Sequence, residues 1–249
     1  MRRTRVIPVL LLKGQGFYKT KKFDGGVYLG DPINILRIFN DKEVDEICVL
    51  DIGATPSGEK PQVDFLREFA SECFMPLAYG GGISSLDQMR CLFKTGVEKC
   101  VINTAVHENP NLIEKAAGEF GSQSIVASID VKKKLFGGYD VCTRGGQVST
   151  GVGVVEYASR AEKLGAGEIL LNSIDRDGTM GGYDLELARK VAGSVSVPVI
   201  MCGGAGNVRD FREVVEAGIS AVAAGAMFVF QGPHRGVLIN VPPPEVLEK

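Results

Sequence analysis

Two glycine-rich turns are the clearest candidates for ligand binding. Residues 80–83 and 203–206 each follow a short apolar run and precede a segment with helical periodicity. The first turn of a helix presents free backbone N–H groups and the positive end of the helix dipole, and both favour an anion. A tight connection between a strand and a helix is the alternative for either turn alone. The presence of two such turns favours a ligand with a phosphate at each end.

A second loop of small or hydroxyl-bearing residues accompanies each turn. Asn103 and Thr104 follow the apolar run after the first turn, and Gly225 and Ala226 follow the run after the second. Barrel enzymes often build a phosphate site from the loops after their seventh and eighth strands, so the second pair of loops is the expected site. The first pair is then its repeat. We call the two predicted sites the first cradle (Gly81, Gly82, Asn103, Thr104) and the second cradle (Gly203, Gly204, Gly225, Ala226).

Asp130 is the best candidate for acid–base chemistry between two phosphates. It ends the apolar run 124–129, at the edge where the catalytic residues of barrel enzymes lie. A carboxylate that only accepts hydrogen bonds from loop amides is the alternative. Weaker candidates are Asp51, Asp175 and Asp177. Helix capping or a local ion pair explains at least one of the last two, because they lie in a polar loop closed by Gly178.

The first apolar run offers no partner for Asp130. Residues 6–12 contain no ionisable group, and the next residue is Lys13. Lys13 and Lys19 lie in the glycine-containing segment 13–30, which we predict to be a mobile lid over a charged ligand. Solvated surface lysines are the alternative for both.

Four charged residues mark the opposite ends of the apolar runs. They are Arg5, Glu46, Lys99 and Glu168. Their alternating signs predict a ring around the bottom opening of a barrel, and ordinary surface salt bridges are the alternative.

Eight short apolar runs are the elements that position these residues. They are residues 6–12, 47–50, 76–79, 100–102, 124–129, 169–171, 198–201 and 221–224. Their continuous apolarity is typical of strands covered by helices on both faces. Helix starts are indicated by Asp31 with Pro32, by Ser85 with Gln88 and by Asn207. Eight strand–helix units of about 31 residues predict an α/β protein with the (β/α)8 architecture of a TIM barrel.

An internal repeat divides this barrel. Pro76 and Gly96 recur as Pro198 and Gly218, and the glycine pair of the first turn recurs in the second, all with an offset of 122 positions. The shared offset predicts two similar half-barrels, residues 1–121 and 122–249, within a single domain. Residues 132–150 interrupt the repeat and predict a hairpin inserted after the fifth strand.

Composition excludes several classes of protein. With 28 Lys plus Arg against 30 Asp plus Glu, the net charge of −2 gives no reason to expect a nucleic acid or an anionic membrane as partner. No run approaches the ~20 apolar residues of a membrane span, and no cleavable leader is recognisable, so we expect a cytoplasmic protein. The six cysteines contain no C-x-x-C pair and neither histidine lies near one of them, so we expect buried, reduced thiols and no metal site.

Several motifs together resemble the cyclase subunit of imidazole glycerol phosphate synthase. They are residues 5–8, 80–83, 102–105, 120–123, 173–179 and 203–206. The resemblance covers nearly the whole chain. It implies a barrel without a cofactor that receives ammonia from a glutaminase subunit at the strand N-termini and joins it to a bis-phosphorylated ribulosyl nucleotide at the other face.

The resemblance also implies a role for each site residue. Asp130 is one catalytic carboxylate, and Arg5, Glu46, Lys99 and Glu168 form the gate of the ammonia channel. Lys19 is the lid residue over the substrate. The implied substrate and phosphate contacts are Lys19, Gly81, Gly82, Asn103, Thr104, Asp177, Gly178, Gly203, Gly204, Gly225 and Ala226.

One departure from the family pattern decides which function we expect. The second catalytic aspartate of the family falls on Leu11, and loss of one member of an acid–base pair typically costs about 100-fold to 10,000-fold in rate. Leu11, Asn172 and the tail 234–239 make the chain more similar to the divergent paralogues found with surface-polysaccharide genes. Those paralogues are thought to relay ammonia, with a glutaminase and an ATP-dependent amidotransferase, to convert an acetamido sugar into an acetamidino sugar.

Three hypotheses follow from this comparison. The expected function is that of an ammonia-conducting synthase subunit of the polysaccharide type. The first alternative is a true cyclase of histidine biosynthesis, and the second is a non-catalytic scaffold that keeps only the barrel and its partner surface. The two cradles argue against the scaffold, because a barrel mouth without a ligand needs no anion sites.

Overall fold

Eight parallel strands form a closed barrel in the computed structural model, which describes residues 4–242. The strands are β1 (Arg5–Lys13), β2 (Ile47–Asp51), β3 (Leu77–Gly80), β4 (Lys99–Ile102), β5 (Ile125–Lys133), β6 (Glu168–Ser173), β7 (Val199–Cys202) and β8 (Ala221–Ala224). Each strand pairs with the next along the chain, and β8 pairs with β1 through the register Arg5 to Ala221. The predicted TIM barrel and all eight predicted strands are therefore confirmed.

Helices lie between the strands along the chain. Within the described residues, seven helices have eight or more residues: α1 (Pro32–Asp41), α2 (Val63–Ser71), α3 (Leu86–Thr95), α4 (Pro110–Phe120), α5 (Val154–Lys163), α6 (Leu185–Ala192) and α7 (Val208–Glu216). Shorter helices are Ala54–Ser57, Thr104–Glu108 and Ala226–Val229. The predicted starts hold: Asp31 accepts a hydrogen bond from the Asn34 amide of α1 at 2.9 Å, and Ser85 and Asn207 each form a capping box.

The offset of 122 positions extends to the details of the loops. The bounds of β3 and β7 differ by that offset, as do those of β4 and β8. A Cβ atom at Gly81 would lie 2.5 Å from the carbonyl oxygen of Asp51, and one at Gly203 would lie 2.6 Å from that of Ser173. Asp51 and Ser173, which end β2 and β6, also differ by 122 positions. Both turns therefore contain glycine for the same reason: each turn lies in close contact with the end of the neighbouring strand. This close packing favours two similar half-barrels.

Two antiparallel hairpins extend the barrel wall at its C-terminal edge. In and just after the segment 132–150, predicted to be an inserted hairpin, strands Tyr139–Thr143 and Val148–Gly153 pair with each other, and the first of them pairs with β5. Residues 13–30, predicted to be a lid, are not an irregular loop, because strands Gly16–Lys21 and Asp24–Gly30 form a hairpin on β1. Glycines and lysines conceal the strand pattern in this segment, and the outer strand is largely exposed.

The barrel interior is a separate apolar cluster, which we call the lumen. It consists of Ile7, Val9, Leu11, Cys48, Ala78, Val101, Val126, Leu170, Ile200, Cys202, Ala221 and Ala223. A second, larger cluster packs the outer strand faces against the helices. All six cysteines are free thiols, and the prediction of burial holds for four of them but is wrong for exposed Cys91 and half-buried Cys73.

Neither a membrane-spanning helix nor a candidate metal cluster occurs within residues 4–242. Over this range, no helix combines the length and apolarity that crossing a membrane requires. No group of three or more His, Cys, Asp or Glu side chains there could hold a metal ion.

Candidate functional site

A cavity of about 340 Å³ opens at the C-terminal ends of the barrel strands. Its size falls within the range of small-molecule sites. The predicted catalytic, substrate and phosphate residues all line it: Lys19, Gly81, Gly82, Asn103, Thr104, Asp130, Asp177, Gly178, Gly203, Gly204, Gly225 and Ala226. The fold thus brings together at one mouth residues that are separated by more than 200 positions in the sequence.

The two cradles differ from the predicted geometry in one respect. The glycine turns do not open the long helices directly, because α3 begins after the capping residue Ser85 and α7 after Asn207. The short helices that begin at Thr104 and Ala226 start at the cavity instead, each directly after a barrel strand and one further residue. Free N–H groups at the cradles therefore come from tight turns and from these short helical turns.

Asp130 lies at the C-terminal end of the parallel part of β5 and is 7% exposed. The Asn103 side-chain amide donates a hydrogen bond to its Oδ2 atom at 3.1 Å. Burial raises the pKa of Asp130 to about 7, and the negative charge of Asp177 adds to the increase, while hydrogen bonds from Asn172 and Asn103 oppose it. A carboxyl with a pKa near neutrality can both accept and donate a proton at physiological pH.

The part of the mouth near Leu11 is apolar. Leu11 lines the cavity, is 9% exposed and pairs in register with Leu50 of β2. Its side chain belongs to the same cluster as Val9 below it on β1. The position at which the resemblance implies a catalytic aspartate therefore provides an apolar surface and no proton-transfer group.

Lys19 is a buried residue of the first hairpin, not a solvated lysine. Its ammonium group donates to Asp177 Oδ1 at 2.7 Å, and the hydroxyl of Thr20 donates to Asp177 Oδ2 at 3.1 Å. A Cβ atom at Gly225 would lie 3.1 Å from Lys19 Cε. Asp177 thus holds the hairpin against the mouth and positions the lysine beside the second cradle.

The other two candidate carboxylates have structural partners. Asp51 Oδ1 accepts hydrogen bonds from the backbone amides of Gly53 and Ala54, at 2.9 and 3.0 Å. Asp175 is exposed and accepts a hydrogen bond from the Lys133 amide at 2.7 Å. Asp51 still lines the cavity, and burial raises its pKa although the two amides act in the opposite direction.

Arg5, Glu46, Lys99 and Glu168 form a closed charged ring at the N-terminal ends of the strands. Arg5 contacts Glu46 at 2.7 Å and Glu168 at 2.6 Å, and Lys99 contacts the same carboxylates at 2.8 and 2.9 Å. The Glu46 side chain is 4% exposed, so this ring is not an ordinary surface pair. Each cation bridges both anions, which closes the bottom of the barrel.

The lumen connects this charged ring to the mouth. Glu168, Leu170 and Asn172 occupy alternate positions of β6 and therefore share one face of the strand. Glu168 belongs to the ring, Leu170 to the lumen and Asn172 to the lining of the cavity. One face of β6 thus extends from the charged ring at the bottom of the barrel, through the lumen, to the cavity at its top.

Sequence reasoning missed several polar residues of the mouth. Thr20, Ser128, Gln147 and Asn172 line the cavity. Two of them could have been found from the sequence. Ser128 lies two residues before Asp130 on the same strand face, and Asn172 is itself a departure from the family pattern. Thr20 and Gln147 come from the two hairpins and carry no such signal.

Comparison with known proteins places the chain in a family. The family model described as "Histidine biosynthesis protein" matches residues 5–234. A Pseudomonas aeruginosa protein provisionally named imidazole glycerol phosphate synthase subunit hisF2 is 50% identical over 243 residues, which cover 97% of each chain.

Two further relatives are similar over nearly the whole chain. A Vibrio vulnificus protein provisionally named subunit hisF3 of the same enzyme is 46% identical over 251 residues, with 100% of this chain and 96% of the relative covered. The imidazole glycerol phosphate synthase subunit HisF of Pyrobaculum aerophilum is 44% identical over 231 residues, with 91% and 90% covered. The chain therefore belongs to the histidine biosynthesis protein family and is a HisF-type barrel.

Proposed function

We propose that this chain is the synthase subunit of a cytoplasmic glutamine-dependent amidotransferase. It receives ammonia from a glutaminase subunit at the N-terminal face of the barrel and releases it at the mouth, where a phosphorylated small molecule binds. The observation that carries this proposal is the sequence of features along one axis: a closed charged ring, an apolar lumen and a cavity with two cradles.

The chemistry of the lumen favours ammonia as the molecule that passes. Neutral ammonia loses little by entering an apolar interior, whereas an ammonium ion would lose its hydration without gaining a partner. The charged ring blocks the bottom in the described structure, so at least one of its ion pairs must separate for passage. A partner bound at this face is the natural cause of such a rearrangement.

The acceptor is inferred from Leu11. Cyclisation of the bis-phosphorylated nucleotide in the family uses two carboxylates, and Leu11 supplies none opposite Asp130. We therefore favour delivery of ammonia to an ATP-dependent sugar amidotransferase, which converts an acetamido sugar into an acetamidino sugar. The amide oxygen must leave in that reaction, and its transfer to phosphate from ATP provides the driving force.

A true cyclase of histidine biosynthesis is the second candidate. It is favoured by Asp130, whose pKa of about 7 suits acid–base catalysis, and by two cradles suited to a ligand with two phosphates. In this case another group at the mouth would replace the missing carboxylate.

Ammonia-driven cyclisation separates the two candidates. The purified chain is given the bis-phosphorylated ribulosyl intermediate and ammonium chloride, and the loss of substrate absorbance is followed. We expect negligible turnover by the natural chain and at least about 100-fold more by Leu11→Asp, which restores the acid–base pair. Turnover by the natural chain at ordinary enzyme rates would identify a histidine-pathway cyclase and refute the sugar assignment.

Glutaminase coupling tests the proposal as a whole. A HisH-type glutaminase from the same organism should form a stable complex with this chain and hydrolyse glutamine faster in the complex. If the glutaminase neither binds nor is stimulated, the chain does not receive ammonia from such a partner, and the proposed function is wrong.

A further inference from the structure

Asn172 carries a buried hydrogen-bond acceptor that has no partner. The residue is 6% exposed, and its Oδ1 atom is both inaccessible and unpaired within the described structure. A buried unpaired acceptor is costly, and native proteins usually retain one only where a water or ligand completes it. Because Asn172 lines the cavity, a rotation of its side chain would bring this oxygen within reach of a ligand at the junction of the lumen and the mouth.

The position of Asn172 is defined on two sides. It lies directly beside Asp130 in the pairing of β6 with β5. A Cβ atom at Gly203 would lie 2.9 Å from the Asn172 oxygen, so this oxygen also lies against the turn of the second cradle. The Asn172 amide hydrogen-bonds to Asp130, which leaves its oxygen free to accept.

The missing partner must donate a hydrogen bond. The dianion of a phosphate monoester has only acceptor oxygens and would be repelled by the amide oxygen. Asp130 adds acceptor capacity at the same place, since an ionised carboxylate has about four lone-pair positions and the Asn103 and Asn172 amides occupy two of them. A small molecule with several N–H groups would satisfy both side chains.

The site also lies where ammonia would leave the lumen. Val126 on β5 and Leu170 on β6 belong to the lumen, and Ser128, Asp130 and Asn172 follow them on the same strand faces. A molecule moving up these two strands therefore passes from apolar side chains to hydrogen-bond acceptors at this level.

We propose that Asn172 and Asp130 form a binding site that holds ammonia at the exit of the lumen. Two of the three N–H groups of ammonia would be bound by the Asn172 and Asp130 oxygens. The nitrogen lone pair stays free to attack an acceptor in the cavity. The inference rests on the proposed function for the source of the ammonia, but the binding site itself is testable without a partner.

Side-chain amide resonances of protein labelled with ¹⁵N-asparagine provide the direct test. The Asn172 signal is assigned from its loss in Asn172→Leu. Ammonium chloride is titrated at about pH 9, where a substantial part of it is free ammonia, against tetramethylammonium chloride, which has no N–H donor. We expect saturable shifts of the Asn172 and Asn103 signals with ammonium alone. The exposed Asn34 serves as an internal control for general salt effects. Equal shifts with both salts, or no saturable shift, would overturn the proposed site.

Kinetics of ammonia-driven turnover give a second readout, with whichever acceptor proves active. We expect Asn172→Leu to raise the KM for ammonia about tenfold while the KM for the acceptor changes less than twofold, because one hydrogen bond to ammonia is lost. Asn172→Thr, which keeps an acceptor oxygen, should recover part of the loss. An equal change in both KM values would show that Asn172 only shapes the mouth, and would refute the ammonia site.

The two proposals fail in different ways. Glutaminase stimulation without an ammonium-specific shift would refute only the site at Asn172. An ammonium-specific shift without any glutaminase coupling would refute only the proposed source of ammonia.

Discussion

Replacing Asp130 by Asn should make the protein more stable, and increasingly so as the pH rises. The substitution keeps the size of the side chain and an oxygen that can accept the hydrogen bond from Asn103. It removes a buried carboxyl whose pKa is raised from 3.8 to about 7, mainly by burial and then by the charge of Asp177. Between these pH values the folded protein retains a proton that the unfolded chain has lost, so the stability of the natural protein falls as the pH rises.

The pKa difference sets the size of the effect. Raising a carboxyl pKa from 3.8 to about 7 corresponds to about 4 kcal/mol of unfolding free energy once the folded group is ionised. The stability gained by Asp130→Asn should therefore increase by about 4 kcal/mol between pH 4 and pH 8, most of it before pH 7.

Urea unfolding followed by circular dichroism at several pH values measures this gain directly. The control is Asp175→Asn, which changes an exposed carboxylate at the same mouth. Its stability difference from the natural protein should vary much less over the same pH range. A gain for Asp130→Asn that does not depend on pH would show that Asp130 is ionised in the folded protein at low pH. The acid–base role argued from its burial would then be wrong.

Two further substitutions test the ring and the hairpin. Glu46→Gln leaves two cations without one of their carboxylates and should lower the unfolding free energy by about 3–5 kcal/mol, with loss of glutamine-driven but not ammonia-driven turnover. Its control is the exposed neighbour Glu98→Gln, and equal effects of both would contradict a specific ring. Lys19→Met removes the buried ion pair that holds the first hairpin to Asp177. Limited proteolysis should therefore cleave residues 16–30 faster in this variant than in the control Lys13→Met, in which an exposed lysine is replaced. Equal cleavage of the two variants would show that the ion pair does not hold the hairpin.

Regular elements of this barrel were predictable because they are local. A strand covered on both faces needs an uninterrupted apolar run, and each such run became a barrel strand. Ser85 and Asn207 begin helices through contacts within four residues, so their capping role is visible in the sequence. The first hairpin was missed because its outer strand is exposed, and its stability comes from pairing with β1 and from Lys19.

The sequence by itself determined the barrel, its repeat and the identity of the residues at both ends. The strand and cap signals depend on neighbours along the chain, and barrel closure follows from eight units of similar length. Which residues meet was decided only by the tertiary structure. Asp177 takes its partner from a hairpin 158 positions away, and the Asn172 oxygen is buried beside Asp130 without one. Burial within the closed barrel sets the pKa of Asp130, and contacts between distant strands close the charged ring. Neither the raised pKa nor the ring exists until the strands have closed into a barrel.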